Sequence, residues 1–581
     1  MFEITHRDSI ARLGKLNDKV TTPNILFITT KRSKEFGKAE VLLTNQELKT
    51  EKFFIFDQGS AFYPIATNRN FSIPQDIPYP LSCSEFLENY CNEKICLVQN
   101  IDKVDKEAEI YVVGNSAELF RSTKGFVYTI AKLRENIGQQ KIIYTPAIGL
   151  PNQYALLFYL GIDLVDSLPL VLATAEDCFL TSDSVLKKSA LIETICECEY
   201  CAKNNLLGHN YSTALLELKK IRSAIKAGNL REFVELRIRS EPKLVAILRE
   251  LDYRYYDFQE PYFPITKKSL IVTSRESFFR PDILRWYKRL RERYKKPESA
   301  KILLLLPCSA KKPYSYSKSH KIFKSVIASV KNYSAVHEVI VTSPLGIVPR
   351  ELELFYPAQH YDIPVTGDWE DYEIKIINEL LQWLVKNARF EAIINHTGYD
   401  FIELEAIKTC IGKSTSKEAL SRLSKELAEL CIEYYLPNEK RKVEDMLSRA
   451  CFQFGKAAGE KLVANCKILG GYPNLRILKG KEQIGMLTGE RGLISLTLEG
   501  AKILASSNVY CVEIDDFIVK GDIFAVGVNN ATPEIRIGDD VAVTHKNELK
   551  AVGIAVMNAK EMVESDRGIA VKVRHYVKDV K

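Results

Sequence analysis

The chain has 581 residues, 46% hydrophobic and 27% charged, with a formal net charge of +7. That length exceeds one hydrophobic core and predicts roughly three to five domains of ~100–200 residues each. The composition excludes a disordered or low-complexity chain. The modest positive charge permits a polyanionic partner without requiring one.

The opening residues, MFEITHRDSIARLGKL, mix both charge signs and lack the apolar core of a signal peptide. No run approaches the ~20 apolar residues of a membrane span. A cytoplasmic location with no membrane partner is therefore expected. Thirteen scattered cysteines fit free thiols in a reducing compartment, with room for a metal site among them.

Residues 1 to 190 alternate short apolar runs with helical patterns. NILFITT, EKFFIFD, KICLVQN, EIYVVGN, KIIYTPA and LVLATA are the predicted strands. This alternation argues α/β, as a barrel or an open sheet. From His209 to Leu251 the pattern turns helical, with Ala214, Leu218, Ile221 and Ile225 on one face and Gly228 as a stop. A second α/β block carries the strands KSLIVTS, KILLLLP, HEVIVTS and EAIINH. It ends near residue 435, where YLPNEKRK reads as a linker. A small mixed segment follows. The last segment reads as all-β, with Val541, Val543, Val552, Val556, Val571 and Val573 in short strands. The predicted domains are 1–268, 269–437, 438–507 and 508–581.

CECEYCAKNNLLGHN places Cys196, Cys198 and Cys201 in a CxCxxC array with His209 downstream. Three thiolates and an imidazole can close a tetrahedral Zn2+ site with no open position, so its role would be structural. The competing reading is a group of reduced cysteines at a helix start. The array followed by HN resembles the zinc site of tRNA-guanine transglycosylases. IIYTPAIGLPNQYALLFYLGIDLVDS resembles that family's approach to its nucleophilic aspartate, which would put Asp166 at that position. FDQGSAF resembles the substrate-pocket region around Asp57. The resemblance implies a TIM-barrel relative. EIYVVGNSAELFRSTKGF lacks the family's Gly-rich base-recognition loop. Asp166 and Asp57 are then relics, or they hold a base without exchanging it. The alternative for Asp166 is a helix-capping or turn aspartate.

The segment from AVGVNN to VKVRH resembles a PUA domain, with Gly538-Asp539, Gly553 and Arg567-Gly568 as landmarks. The resemblance implies RNA binding, with Arg536, Lys546, Lys572 and Arg574 as phosphate contacts. The preceding segment resembles the small domain before PUA in archaeal transglycosylases, and both imply a structured tRNA partner.

PCSAKKPYSYSKSH matches a PC-x3-KPY-x2-S-x2-H signature at Pro307, Cys308, Lys312, Pro313, Tyr314, Ser317 and His320. The signature, with TSPLGIVPRELELFYPAQHYDIPVTGDWE after it, resembles archaeosine synthases. The whole would be a multidomain α/β plus all-β protein: a degenerate TIM-barrel-like domain, a second α/β sheet domain, a small α+β domain and a PUA β-barrel.

The resemblance implies a reaction. A nitrogen nucleophile adds to the nitrile of 7-cyano-7-deazaguanine at position 15 in the tRNA D-arm. The donor is lysine, with a radical-SAM partner enzyme cleaving the adduct, or else glutamine or ammonia. A thiolate can add to a nitrile and form a thioimidate that an amine displaces. That makes Cys308 the candidate nucleophile. Lys311, Lys312 and the first turn of a following helix would lower its pKa. His320 would shuttle protons, and Tyr314 and Ser317 would position the imidate nitrogen. Asp362, Asp368 and Glu370 are candidates for holding an amino-acid ammonium. Direct amine attack stays open. So do an active transglycosylase, a non-catalytic tRNA-binding protein and a homodimer.

Overall fold

The computed structural model describes residues 2–16, 18, 20–29, 36–44, 53–56, 90–91, 95–434 and 437–578. Asp57 lies outside them. The chain divides into two compact units, residues 1–263 with 564–568 and residues 264–563 with 569–581.

The first unit opens with a three-stranded antiparallel sheet over residues 2–22. Its main sheet contains β1 (Asn24–Thr29), β2 (Val41–Thr44), β3 (Phe53–Phe56), β4 (Ile95–Val98), β5 (Ile110–Val113), β6 (Ile142–Tyr144) and β7 (Leu164–Asp166). All seven run parallel, in the order β3-β2-β1-β7-β6-β5-β4. The first parallel strand therefore pairs with the last, so the sheet order is a circular permutation of the chain order. Almost every residue of β1, β2 and β5 to β7 is buried, as parallel strands covered on both faces require.

Five of the six predicted strands form where expected. LVLATA does not: it lies in helix α1 (Leu168–Ala175), and β7 precedes it. A short run apolar on every side has no strand or helix period, and Pro169 at the start of the helix tips it. Helix α2 (Leu206–Ala227) is capped by the Asn205 side chain, and Gly228 ends it at φ 75°. Cys91 and Cys96 are facing partners of an antiparallel pair and form a disulfide, which departs from the expectation of free thiols throughout.

In the second unit, helix α3 (Pro281–Arg293) leads to β8 (Ile302–Pro307). Helix α4 (Lys318–Ser329), β9 (Val336–Thr342), β10 (Gly346–Pro349), helix α5 (Asp371–Asn387), β11 (Ala392–Asn395), β12 (Ile407–Lys408) and helix α6 (Lys417–Cys431) follow. The sheet order is β10-β9-β8-β11-β12, with only β10 antiparallel. Ile302 to Leu306 are all buried. Leu303 and Leu305 face the core shared with α3 and α5; Ile302, Leu304 and Leu306 face that of α4 and α6. KSLIVTS supplies only a two-residue strand, Leu270–Ile271. YLPNEKRK is not a linker beyond Pro437: helix α7 (Asn438–Phe454) starts there and buries Met446, Ala450 and Phe454.

A four-stranded antiparallel sheet over residues 466–496 and a six-stranded mixed sheet over 511–576 complete the unit. The helix Ala559–Glu564 interrupts the expected all-β segment. No helix among the described residues is long and apolar enough to cross a membrane.

Candidate active site

Strand β8 is the middle of its sheet. The chain leaves it through α4 to β9 on one side and returns through α5 to β11 on the other. The crevice outside the carboxyl ends of β8 and β11 is a topological switch point, where open α/β sheets place ligands. Cys308 follows β8 directly, and Tyr399 lies in the loop after β11.

The Thr342 hydroxyl, the Lys312 charge and the Tyr399 hydroxyl each act on the Cys308 thiol. Burial pushes the thiol up, and these three influences do not reverse it. The expected lowering by lysines and a helix start is therefore outweighed by desolvation. Lys312 stands 3.9 Å from the centroid of the Tyr361 ring. Burial lowers its pKa, against the charges of Cys308 and Asp362.

Tyr314 is fully buried, and its hydroxyl meets that of Tyr361 at 2.6 Å. Tyr361 also meets the Thr342 hydroxyl. Tyr314 thus holds Tyr361 from behind instead of facing a substrate. Ser317 caps α4, accepting from the His320 backbone N–H at 3.2 Å. This is a helix-start role, in place of the imidate contact expected of it.

Both ring nitrogens of His320 are engaged. Nε2–H donates to the Pro307 carbonyl at 3.0 Å, and Nδ1 accepts from Arg350 Nη2 at 2.7 Å. Burial, then the Arg350 charge, push its pKa down to about 3. His320 is a neutral histidine pinning the residue before Cys308, and the geometry leaves no nitrogen for the expected proton shuttle. Arg350 is fixed in turn by Glu338 at 2.7 Å and Glu353 at 3.0 Å. Glu353 accepts from the Ser315 backbone N–H at 2.9 Å and so anchors the signature loop.

The three acidic candidates separate. Asp362 is exposed and acts on Lys312. Asp368 is exposed on the loop before α5. Glu370 is the N-cap of α5, and its backbone N–H donates to Glu373 Oε2 at 2.8 Å. Sequence reasoning missed Thr342, Tyr361, Tyr399 and Arg350. The first, second and fourth lie in the TSPLGIVPRELELFYPAQHYDIP block, and Tyr399 lies three residues past the predicted strand EAIINH.

In the first unit, Asp166 is fully buried. It accepts from Tyr144 Oη and the backbone N–H groups of Ala147 and Leu168, each at 2.8 Å. Oδ1 is spent on the turn into α1 and Oδ2 on Tyr144 of β6 and Ala147 in the loop after it, so the turn role fits and the expected base-facing role has no support here. Cys196, Cys198, Cys201 and His209 converge, their ligand atoms all within 4.8 Å of one another. His209 Nδ1 lies 3.3 Å from Cys201 Sγ and 3.6 Å from Cys198 Sγ. Its Nε2–H donates to the Leu180 carbonyl at 3.0 Å, which leaves Nδ1 free to ligate. This donor set fits a metal ion.

On the last sheet Lys546 and Lys572 are exposed. Arg536 donates to the carbonyls of Pro533 at 2.7 Å and Ile535 at 3.0 Å. Arg574 donates to the Leu496 carbonyl at 2.7 Å and pairs with buried Asp540, so it is committed internally. A Cβ at Gly553 would lie 2.4 Å from the Lys572 carbonyl oxygen. That glycine serves strand packing.

Three family profiles match: queuine tRNA-ribosyltransferase over residues 90–243, a domain of unknown function (DUF5591) over 283–427, and the PUA domain over 511–577. The archaeosine synthase of Haloferax volcanii is 32% identical, covering 99% of both chains. The archaeosine synthase subunit alpha of Methanosarcina acetivorans is 34% identical over 81% of this chain and 80% of its own. The chain belongs to the archaeosine synthase family. The tRNA-guanine(15) transglycosylase of Methanobrevibacter smithii is also similar, at 27% identity over 81% of this chain and 72% of its own. In this archaeosine synthase family member the DUF5591 match holds Cys308, Lys312, Tyr361 and Tyr399. The transglycosylase match holds Asp166 and the Cys–His cluster. The fold is multidomain α/β with a transglycosylase-like region and a C-terminal PUA domain.

Proposed function

We propose that this chain adds a nitrogen nucleophile to the nitrile of 7-cyano-7-deazaguanine at position 15 of tRNA, with Cys308 as the attacking thiol. Membership of the archaeosine synthase family makes it a tRNA-modifying enzyme of archaeosine biosynthesis. The observation that carries the assignment of the site is the meeting of Cys308, Lys312, Thr342 and Tyr399 at the switch point.

The cysteine thiolate bonds to the nitrile carbon, and the nitrile nitrogen takes a proton, giving a thioimidate. Lys312, close enough for its charge to act on the thiol, is the proton donor in this reading. The amine nitrogen then bonds to the same carbon and loses a proton. The carbon–sulfur bond breaks, and the thiolate leaves an amidine. Free lysine is the favoured donor, its ammonium met by Asp362 or Asp368. A radical-SAM enzyme would then cleave the adduct. Glutamine or ammonia would give the amidine by a shorter route.

Base exchange in the first unit is disfavoured by the committed hydrogen bonds of Asp166. The circular strand order of β1 to β7 supports a degenerate TIM barrel there, within a domain of residues 1–268. Residues 269–437, 438–507 and 508–581 would be the other domains, and the protein would work in the cytoplasm. The Cys3His set would hold Zn2+, which supplies folding energy and no chemistry. Lys546 and Lys572 would contact tRNA phosphates.

The test is incubation of the full chain with nitrile-bearing tRNA and lysine, followed by weighing of the nucleosides. A gain of one lysine is expected. No gain with lysine, glutamine or ammonia overturns the reading. Full turnover by Cys308→Ala would remove only the thioimidate step.

A further inference from the structure

Three half-buried aromatic side chains, Trp369, Tyr399 and Phe401, pack against the same core as Cys308. The Tyr399 and Phe401 rings are stacked, 5.2 Å apart with 11° between planes. Trp369 meets each at 5.1 Å, edge-on or tilted. The Tyr399 hydroxyl and the Cys308 thiol lie near enough to influence each other's ionisation. The cluster joins the loop before α5 to the loop after β11, on the β11 side of the switch point.

Trp286, in the same core, is fully buried. These three instead keep part of their surface in solvent next to a nucleophile. An enzyme that reacts at an atom of a base takes the base out of its stack and holds it between aromatic faces. The surface alongside suits the attached backbone: residues 308–337 contain six lysines and no Asp or Glu. Of these, Lys311, Lys318 and Lys321 are exposed around one groove with Tyr316. Such a lysine face takes polyanions without reading sequence.

The geometry points to Trp369, Tyr399 and Phe401 as the seat of the extruded nucleobase, with Trp369 stacking on it and Tyr399 holding its reactive edge against Cys308. This deepens the nitrile-addition reading and rests on it. Trp369 is a binding residue in this scheme; it moves no proton and forms no bond.

The experiment follows tryptophan fluorescence while the full chain is titrated with nitrile-bearing tRNA and, separately, with the free nitrile nucleoside. The chain has three tryptophans, and Trp369→Phe assigns the signal. Quenching by both ligands is expected, and it disappears in Trp369→Phe. Trp369→Ala should raise KM for nitrile-bearing tRNA by about 10- to 100-fold, the effect of losing one base–aromatic stack. Trp369→Phe, which keeps a ring, should recover most of it. Affinity for tRNA with guanine at the target position should change far less, because phosphate contacts dominate it. An unquenched wild-type signal overturns the proposal. So does Trp369→Ala with wild-type KM. Wild-type quenching without adduct formation would instead sink the reaction and leave the base seat supported.

Discussion

Lys312 and Tyr361 form a cation–π pair 3.9 Å apart beside the Cys308 thiol. Such a pair contributes about 0.5–2 kcal/mol, more as it loses water. Tyr361 is held by Tyr314 behind and Thr342 beside it. The KPY segment of the signature thus builds a clamp: the tyrosine fixes a second tyrosine, and that ring fixes the lysine. Tyr361→Leu removes the ring and leaves two buried hydroxyls without their shared partner. A loss of about 1–3 kcal/mol is expected. Tyr361→Phe keeps the ring and should retain most turnover. Equal turnover in the Leu and Phe variants would contradict the clamp.

Burial raises the Cys308 thiol pKa, so thiolate is scarce at neutral pH. Alkylation of Cys308 by iodoacetamide, read by peptide mass, should climb about tenfold per pH unit up to pH 9 without a plateau. Lys312→Met removes a charge that favours the thiolate and should slow the reaction several-fold at pH 8. A plateau below pH 8 would contradict the balance of burial over charge.

His320 has its folded pKa depressed from 6.5 to about 3 by burial and Arg350. The sign follows from linkage: the unfolded chain binds a proton between those values and the native state does not. The stability this group provides is complete above pH 6.5 and is lost as pH falls toward 3. His320→Gln should lose less melting temperature than wild type between pH 7 and 5. Turnover should fall in this variant through displacement of Pro307. Its pH–rate profile should keep its shape, whereas loss of a proton shuttle would remove one of its limbs.

Much of this was legible from sequence because strands with strong apolar runs, such as KILLLLP and HEVIVTS, have no rival structure. The signature residues were legible as a set, while their jobs were not. Ser317 and His320 sit three apart at a helix start, and that spacing serves a cap as well as a catalytic pair. Tyr399 reaches Cys308 only because β8 and β11 are adjacent, a pairing that no local period reveals. LVLATA misled because an all-apolar run lacks periodicity, and the proline before it was the cue.

Asp166 accepts three hydrogen bonds at 2.8 Å in a fully buried position. Asp166→Asn turns one acceptor into a donor that faces an N–H or O–H. A loss of about 1–3 kcal/mol in urea unfolding is expected. Because the residue is assigned to the turn, wild type should show no incorporation of labelled guanine into tRNA. Incorporation that Asp166→Asn abolishes would restore it as a nucleophile.

The Cys–His cluster makes a prediction about metal removal. Its four ligand atoms already lie within 4.8 Å, and Leu180 fixes the His209 tautomer. Phe179 stacks on the imidazole at 3.8 Å between centroids, so the histidine is oriented before any ion arrives. About one zinc per chain is expected by atomic absorption in the purified protein. Cys198→Ser, or prolonged chelation of wild type, should lower the melting temperature, since structural zinc contributes its binding energy to folding. The closed ligand set leaves no position for substrate. The zinc-depleted protein, assayed well below its melting temperature, should therefore keep the rate of Cys308 alkylation seen in the zinc-loaded protein. A changed alkylation rate would mean that the ion does more than hold the loop before α2.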